Sequence, residues 1–245
     1  MVFDWIRPSD FRKETLFSCS LVSKSWRAMA LRHCFYSLSL IYRMKSYPET
    51  SDLNYILQDF VEADIFADVQ YLVRKLALQC GKIGPNPIEL DIATYLRHFP
   101  ALRHFTLAGR VHERLSLNQP FPVLPLSLST LAIVGQPGSI HNIIALYDLL
   151  SLFRPVRHIY LRNLKDWGSD SLSPDLDAPP LLELRSFTLH ALPVASPLTD
   201  LLSLPSVMRC VECFEFHDET TLAGLSFVKL HKPDVTHLTF AIDCK

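Results

Sequence analysis

The stretch Val156-Arg157-His158-Ile159-Tyr160-Leu161-Arg162, apolar at its first, fourth and sixth positions, returns along the chain and limits its fold more than any other feature. In the same register stand Phe35/Leu38/Leu40, Val73/Leu76/Leu78, Leu102/Phe105/Leu107, Leu128/Leu131/Ile133, Val156/Ile159/Leu161, Leu184/Phe187/Leu189, Val211/Phe214/Phe216 and Val235/Leu238/Phe240. Their last members step by 38, 29, 26, 28, 28, 27 and 24 residues. In a chain that is 49% hydrophobic, one apolar triplet arises by chance at about one site in eight, so the regular spacing carries the weight. Side chains alternate across a strand, so the fourth and sixth positions of each unit are expected in a shared core, with the third, fifth and seventh facing the other way.

A period in the high twenties with this signature resembles the leucine-rich repeat. The Asn or Cys which that family places three residues past the last apolar position is replaced here by Arg43, Gly81, Arg110, Gln136, Leu164, Leu192 and Glu219, so the repeats are divergent. The resemblance implies an α/β, leucine-rich-repeat-like solenoid over residues 35–245. It would have a parallel sheet of about eight strands, with helices or irregular segments on the convex side. The alternative is a doubly wound α/β domain, which also alternates strand and helix, but it needs a nucleotide or substrate site that the sequence does not display.

Between the strands, Asp52 caps a predicted helix bearing Leu53, Ile56, Leu57, Phe60 and Val61 at i, i+3, i+4, i+7 and i+8. Asn86-Pro87 opens another, with Ile88, Ile92, Tyr95, Leu96 and Phe99 inward and Phe99-Pro100 at its end. From Gly109 to Pro125 prolines recur without helical period, which predicts an extended connection. Ser139 is the expected N-cap of a helix carrying Ile140, Ile143, Ile144, Tyr147 and Leu150. The Gly135-Gln136-Pro137-Gly138-Ser139 turn before it lacks the Lys of a phosphate loop. Trp167 to Pro180, rich in Ser, Asp and Pro, reads as a loop, and Ser196-Pro197 opens a helix with Leu198, Leu201 and Leu202.

With 24 Lys plus Arg against 25 Asp plus Glu, the net charge of -1 gives no general reason to expect nucleic acid or an anionic membrane, and either partner would need a local basic patch. The most apolar run, Ile140 to Phe153, is interrupted by Asp148 and falls short of the ~20 residues of a membrane span. Asp4, Arg7, Asp10 and Arg12 interrupt the place of a signal peptide, so the chain is expected to be soluble and intracellular, cytoplasmic or nuclear. The six cysteines show no disulfide-framework spacing. Cys210-Val211-Glu212-Cys213 would put its two thiols on opposite faces of a strand, without a second pair to complete a zinc site. None of the ten histidines falls in a metal motif, and no nucleophile elbow or dinucleotide loop is present. No cofactor, metal or catalytic residue is therefore expected, and the functions left are binding functions.

The first 34 residues differ from the rest. Leu16, Cys19 and Val22, three apart, suit a short amphipathic helix. Ser23 is the expected cap of a second helix with Trp26, Met29, Ala30 and His33 on one side, and Trp26 is expected to close the near end of the repeat core. The string ETLFSCSLVSKSWRAMALRHCFYSLSL, through Leu16, Cys19, Leu21, Val22, Lys24, Trp26 and Arg27, resembles the C-terminal half of the F-box of many fungal F-box proteins. Residues 1–34 would then be a partial F-box-like helical module, binding the Skp-family adaptor of a cullin-RING ubiquitin ligase through Leu16, Leu21, Val22 and Trp26. The family's opening Leu-Pro segment has no counterpart ahead of Val2, so the resemblance implies weak adaptor binding. What it implies for the whole chain is a substrate-recognition subunit of an SCF-type ligase; the alternative is a leucine-rich-repeat interaction scaffold with no ligase link.

For the target protein, the outward positions form three rows. The first runs Ser37, Lys75, His104, Thr130, His158, Ser186, Cys213, His237; the second Ser39, Ala77, Thr106, Ala132, Tyr160, Thr188, Glu215, Thr239; the third Ile41, Gln79, Ala108, Val134, Arg162, His190, His217, Ala241. His158, Tyr160, Arg162, His190, Glu215 and His217 gather on three neighbouring strands and are the candidate partner-binding residues, since aromatic and guanidinium groups anchor protein interfaces.

Overall fold

In the strand His104–Gly109 every second side chain is buried, as the alternating apolar spacing requires. The computed structural model describes residues 18, 21–42, 62, 66–80, 96–109, 127–135, 140–141, 149, 153, 156–164, 166–167, 185–190, 213–217 and 237–241. Its strands are β1 (Ser37–Tyr42), β2 (Lys75–Cys80), β3 (His104–Gly109), β4 (Leu128–Val134), β5 (Ile140–His141), β6 (Val156–Arg162), β7 (Asp166–Trp167), β8 (Ser186–His190), β9 (Cys213–His217) and β10 (His237–Ala241). Two helices are described, α1 (Lys24–Phe35) and α2 (Phe66–Val69). The fold is α/β with a parallel sheet. Strand order in the main sheet is β1-β2-β3-β4-β6-β8-β9-β10, while β5 and β7 pair apart from it.

That order follows the chain without reversal. A doubly wound sheet has a switch point where strand order turns back, and its ligand binds there; the main sheet has no such point. Registers repeat from pair to pair: Leu40 lies beside Leu78, Leu78 beside Leu107, Leu107 beside Ile133 and Ile133 beside Leu161. Leu161 continues to Leu189, Leu189 to Phe216 and Phe216 to Phe240. The fourth and sixth positions of successive units therefore stack in two continuous lines, and in β2, β3, β4 and β6 both lines are buried. Phe105 packs its ring against Phe153, with centroids 6.0 Å apart, so the core extends from the sheet into the segment ahead of β6. Leu96 and Phe99, placed inward by the sequence pattern, are buried.

Two strand ends explain local sequence choices. Gly109 ends β3 at φ 108°, where a side chain would clash. Asn163 follows β6 at φ 57°, a left-handed conformation that asparagine tolerates better than most residues. Leu164 after it, where the repeat family has Asn or Cys, is buried at 1% exposure. An apolar contact thus occupies the place of a polar one.

The helix α1 starts where its cap predicts: Ser23 has extended backbone, and its Oγ accepts from the Trp26 N–H at 3.2 Å. It packs against β1 and α2. Its buried side chains are Ala30 and Cys34, one turn apart and small enough to let the helix approach closely. Five expectations are corrected. Trp26 does not close the core: it is 39% exposed, and the side chains that α1 buries are Ala30 and Cys34, in its later turns. Phe35, read as the opening position of the first repeat, is the last residue of α1 instead. Ile140, assigned to a helix, lies in β5 and pairs with Asp166, while Trp167, assigned to a loop, pairs with His141; this bridge satisfies backbone groups of two connections that the local pattern reads as unrelated. Finally, Val22 does not belong to the first helix, being in a turn and 68% exposed.

The helix expected over Leu53 to Val61, the Asn86-Pro87 start, the 110–125 connection, the Ser139 cap and the Ser196 helix lie outside the described residues. Among the described residues no helix is long and apolar enough to cross a membrane.

Candidate functional sheet face

Parallel pairing brings the outward rows together as read. In the first row Lys75 lies beside His104, His104 beside Thr130, Thr130 beside His158, and His158 beside Ser186. A hydrogen bond of 2.6 Å joins His158 Nδ1 and Ser186 Oγ across β6 and β8. The pair has the residue types of a hydrolytic nucleophile and base, and among the described residues no carboxylate is seen to orient the imidazole. In the second row Tyr160 is beside Thr188 and Thr188 beside Glu215, and Thr188 Oγ1 donates to Glu215 Oε2 at 3.3 Å. Arg162, His190 and His217 follow one another in the third row.

Of the candidate partner-binding residues, His158 and Arg162 are exposed, and Tyr160 and Glu215 are half-buried. His190 holds the register position next to Arg162, and His217 the one next to His190. The sheet therefore places all six on β6, β8 and β9, on adjacent strands about 4.8 Å apart. Two groups of this face have displaced acidity. Burial pushes the His104 imidazole below its ordinary value, helped by the neighbouring charges of Lys75 and His158. Burial, with the Glu215 carboxylate, pushes the Cys213 thiol up, so it stays protonated and unreactive at neutral pH. Among the described residues no group of His, Cys, Asp or Glu could hold a metal ion.

At the other end of the chain's described part, Leu21 is 86% exposed, and Val22 and Trp26, near it in sequence at the start of α1, are exposed at 68% and 39%. Leu16, the fourth residue expected to meet an adaptor, lies outside the described residues.

A feature missed in the sequence sits at the start of the strands. Arg74, Arg103, Arg157 and Arg185 each follow the first apolar residue of their unit, ahead of the third, fifth and seventh positions that alternation turns outward. Here the backbone is stitched across strands: Arg74 N–H donates to Tyr36 O, Arg103 N–H to Arg74 O, Ser129 N–H to Arg103 O and Arg185 N–H to Arg157 O, at 2.7 to 3.0 Å. A cleft of about 500 Å³ opens over this row, lined by Arg74, Arg103, Arg157 and His104, with Tyr36 and Ser129. Two of the guanidinium groups are anchored: Arg74 Nη1 donates to Ala101 O at 3.0 Å and Arg103 Nη1 to Ser127 O at 3.3 Å. Lys75 Nζ stands 5.7 Å from the centre of the Tyr36 ring, adding a cation beside the cleft. The signal was available, since an Arg one place after the opening apolar residue occurs in four of the aligned units. Compared with protein-family models, curated proteins and solved structures, the chain matches none.

Proposed function

We propose that the chain is a substrate-recognition subunit of an SCF-type cullin-RING ubiquitin ligase: a leucine-rich-repeat-like solenoid of eight parallel strands that holds a target protein, led by a partial F-box that docks a Skp-family adaptor. The observation that carries this reading is the separation of two surfaces. Leu21, Val22 and Trp26 are exposed within six residues of one another at the start of α1, whereas the buried side chains of the helix, Ala30 and Cys34, come further along. Scattered surface apolar residues need no explanation, but a cluster of large ones at a helix start fits a partner. The residues that resemble the adaptor-contacting part of an F-box are the ones left uncovered. The polar rows of β6, β8 and β9 offer a second surface to a target, with Tyr160 and Arg162 as anchors.

The test is isothermal titration of the purified chain with a Skp-family adaptor. Binding is expected, and should fall at least tenfold in Leu21→Asp with Val22→Asp, while Tyr160→Ala with Arg162→Ala leaves it unchanged. Absence of adaptor binding together with partner recovery that depends on Tyr160 and Arg162 would replace this reading by an interaction scaffold without ligase link.

A further inference from the structure

The sheet is far more basic than the chain. In its strands and at their starts stand Arg74, Lys75, Arg103, Arg157, Arg162 and Arg185, and the single carboxylate among the described residues of the main sheet is Glu215 on β9. A net charge of -1 thus conceals a local excess of positive charge on one element. We propose that the arginine row at the strand starts binds an extended acidic segment of a partner protein, with carboxylate or phosphate side chains seated on Arg74, Arg103, Arg157 and Arg185.

Four observations support it. The cleft over the row has three guanidinium groups in its lining and no carboxylate among the described residues. Arg74 and Arg103 each spend one Nη on a backbone carbonyl, which fixes the plane of the group and leaves further donors for a bidentate contact with an anion. Burial pushes the pKa of His104, in the lining of the same cleft, below its ordinary value, and the neighbouring charges of Lys75 and His158 lower it further. Length then chooses the ligand. From β2 to β8 the row crosses four strand spacings, about 19 Å at ~4.8 Å each, which a single small anion does not span and about six extended residues do. Nucleic acid fits less well, because single strands need aromatic platforms between the cations and the row offers only Tyr36 at its end. The assignment stands whether or not the chain docks an adaptor.

The experiment titrates the full chain, without adaptor, into a fluorescein-labelled eight-residue peptide of alternating Asp and Ser. The Asn-for-Asp peptide is expected to bind at least tenfold more weakly, a phosphoserine version more tightly, and 0.5 M NaCl to weaken both acidic peptides, since exposed charges are screened. Arg157→Gln with Arg185→Gln, at two exposed positions, should lower affinity at least fivefold, with Arg157→Lys plus Arg185→Lys recovering part of it and Arg32→Gln, exposed on α1, changing nothing. Far-ultraviolet circular dichroism and urea midpoints verify the fold of each variant. Equal binding of the Asp and Asn peptides, or indifference to the Gln pair, overturns the proposal. Displacement by inorganic phosphate at the peptide's own concentration would make the cleft a compact ion site, and tighter binding of an eight-nucleotide oligo-dT would make the row a nucleic-acid site; either result also overturns it.

Discussion

At the residue scale, burial rather than chemical type decides which side chains matter to the fold. Trp26 is the largest apolar side chain of α1, yet it is 39% exposed, while Phe105 on β3 is 0% exposed and stacks near Phe153. Phe105→Ala is therefore expected to cost about 3 to 5 kcal/mol and Trp26→Ala less than about 1 kcal/mol, read as urea midpoints at constant slope. A Trp26 loss matching that of Phe105 would restore the capping role that the sequence suggests. His104 makes a different contribution. Its folded pKa lies below the ordinary value near 6.5, first through burial and then through Lys75 and His158. The unfolded chain takes up the proton first, so the stability linked to this group is full above about pH 6.5 and declines as pH falls through the depressed folded value. Comparing urea midpoints at pH 7 and pH 5, His104→Gln should lose less stability than the parent; an identical loss would locate the pH dependence elsewhere.

At the element scale, helices and strands were legible to different degrees. The start of α1 was readable because one residue, Ser23, both leaves the helix and accepts its Trp26 N–H. Ser23→Ala is expected to lower stability by about 1 kcal/mol, within the usual range for a lost cap, whereas Ser23→Asp should hold it; equal losses in both would show that the cap contributes nothing. The strands were readable because alternation and spacing repeat, so each unit corrects the ambiguity of the next. Ile140 and Trp167 were not. Two-residue strands have no period, and β5 and β7 exist only because the two connections meet, a contact between residues 26 positions apart in each pair.

At the scale of the whole molecule, repetition turns local patterning into long-range order. A chain whose apolar triplets recur at 24 to 29 residues after the first step has a simple way to bury them all, by laying each strand beside its predecessor. That is why the strand order and the pairs Leu78–Leu107 or Leu161–Leu189 follow from sequence alone: spacing fixes both which residues face the core and which strand is next. Net charge, by contrast, misleads at this scale, because it averages over the chain what the sheet separates in space. The four arginines of the row are 29, 54 and 28 residues apart in order, and no local window holds two of them from different strands; parallel pairing sets them in one line. The exposure of Trp26 belongs to the same class, since a helix pattern says which side is apolar but not how far along the helix the neighbouring sheet reaches. The sequence by itself determined the periodic elements, their register and the α/β class, because these depend on side-chain alternation and repeat length. Only the tertiary structure decided which apolar residues stay uncovered and which charges become neighbours, because both depend on where separate strands end and what stands beside them.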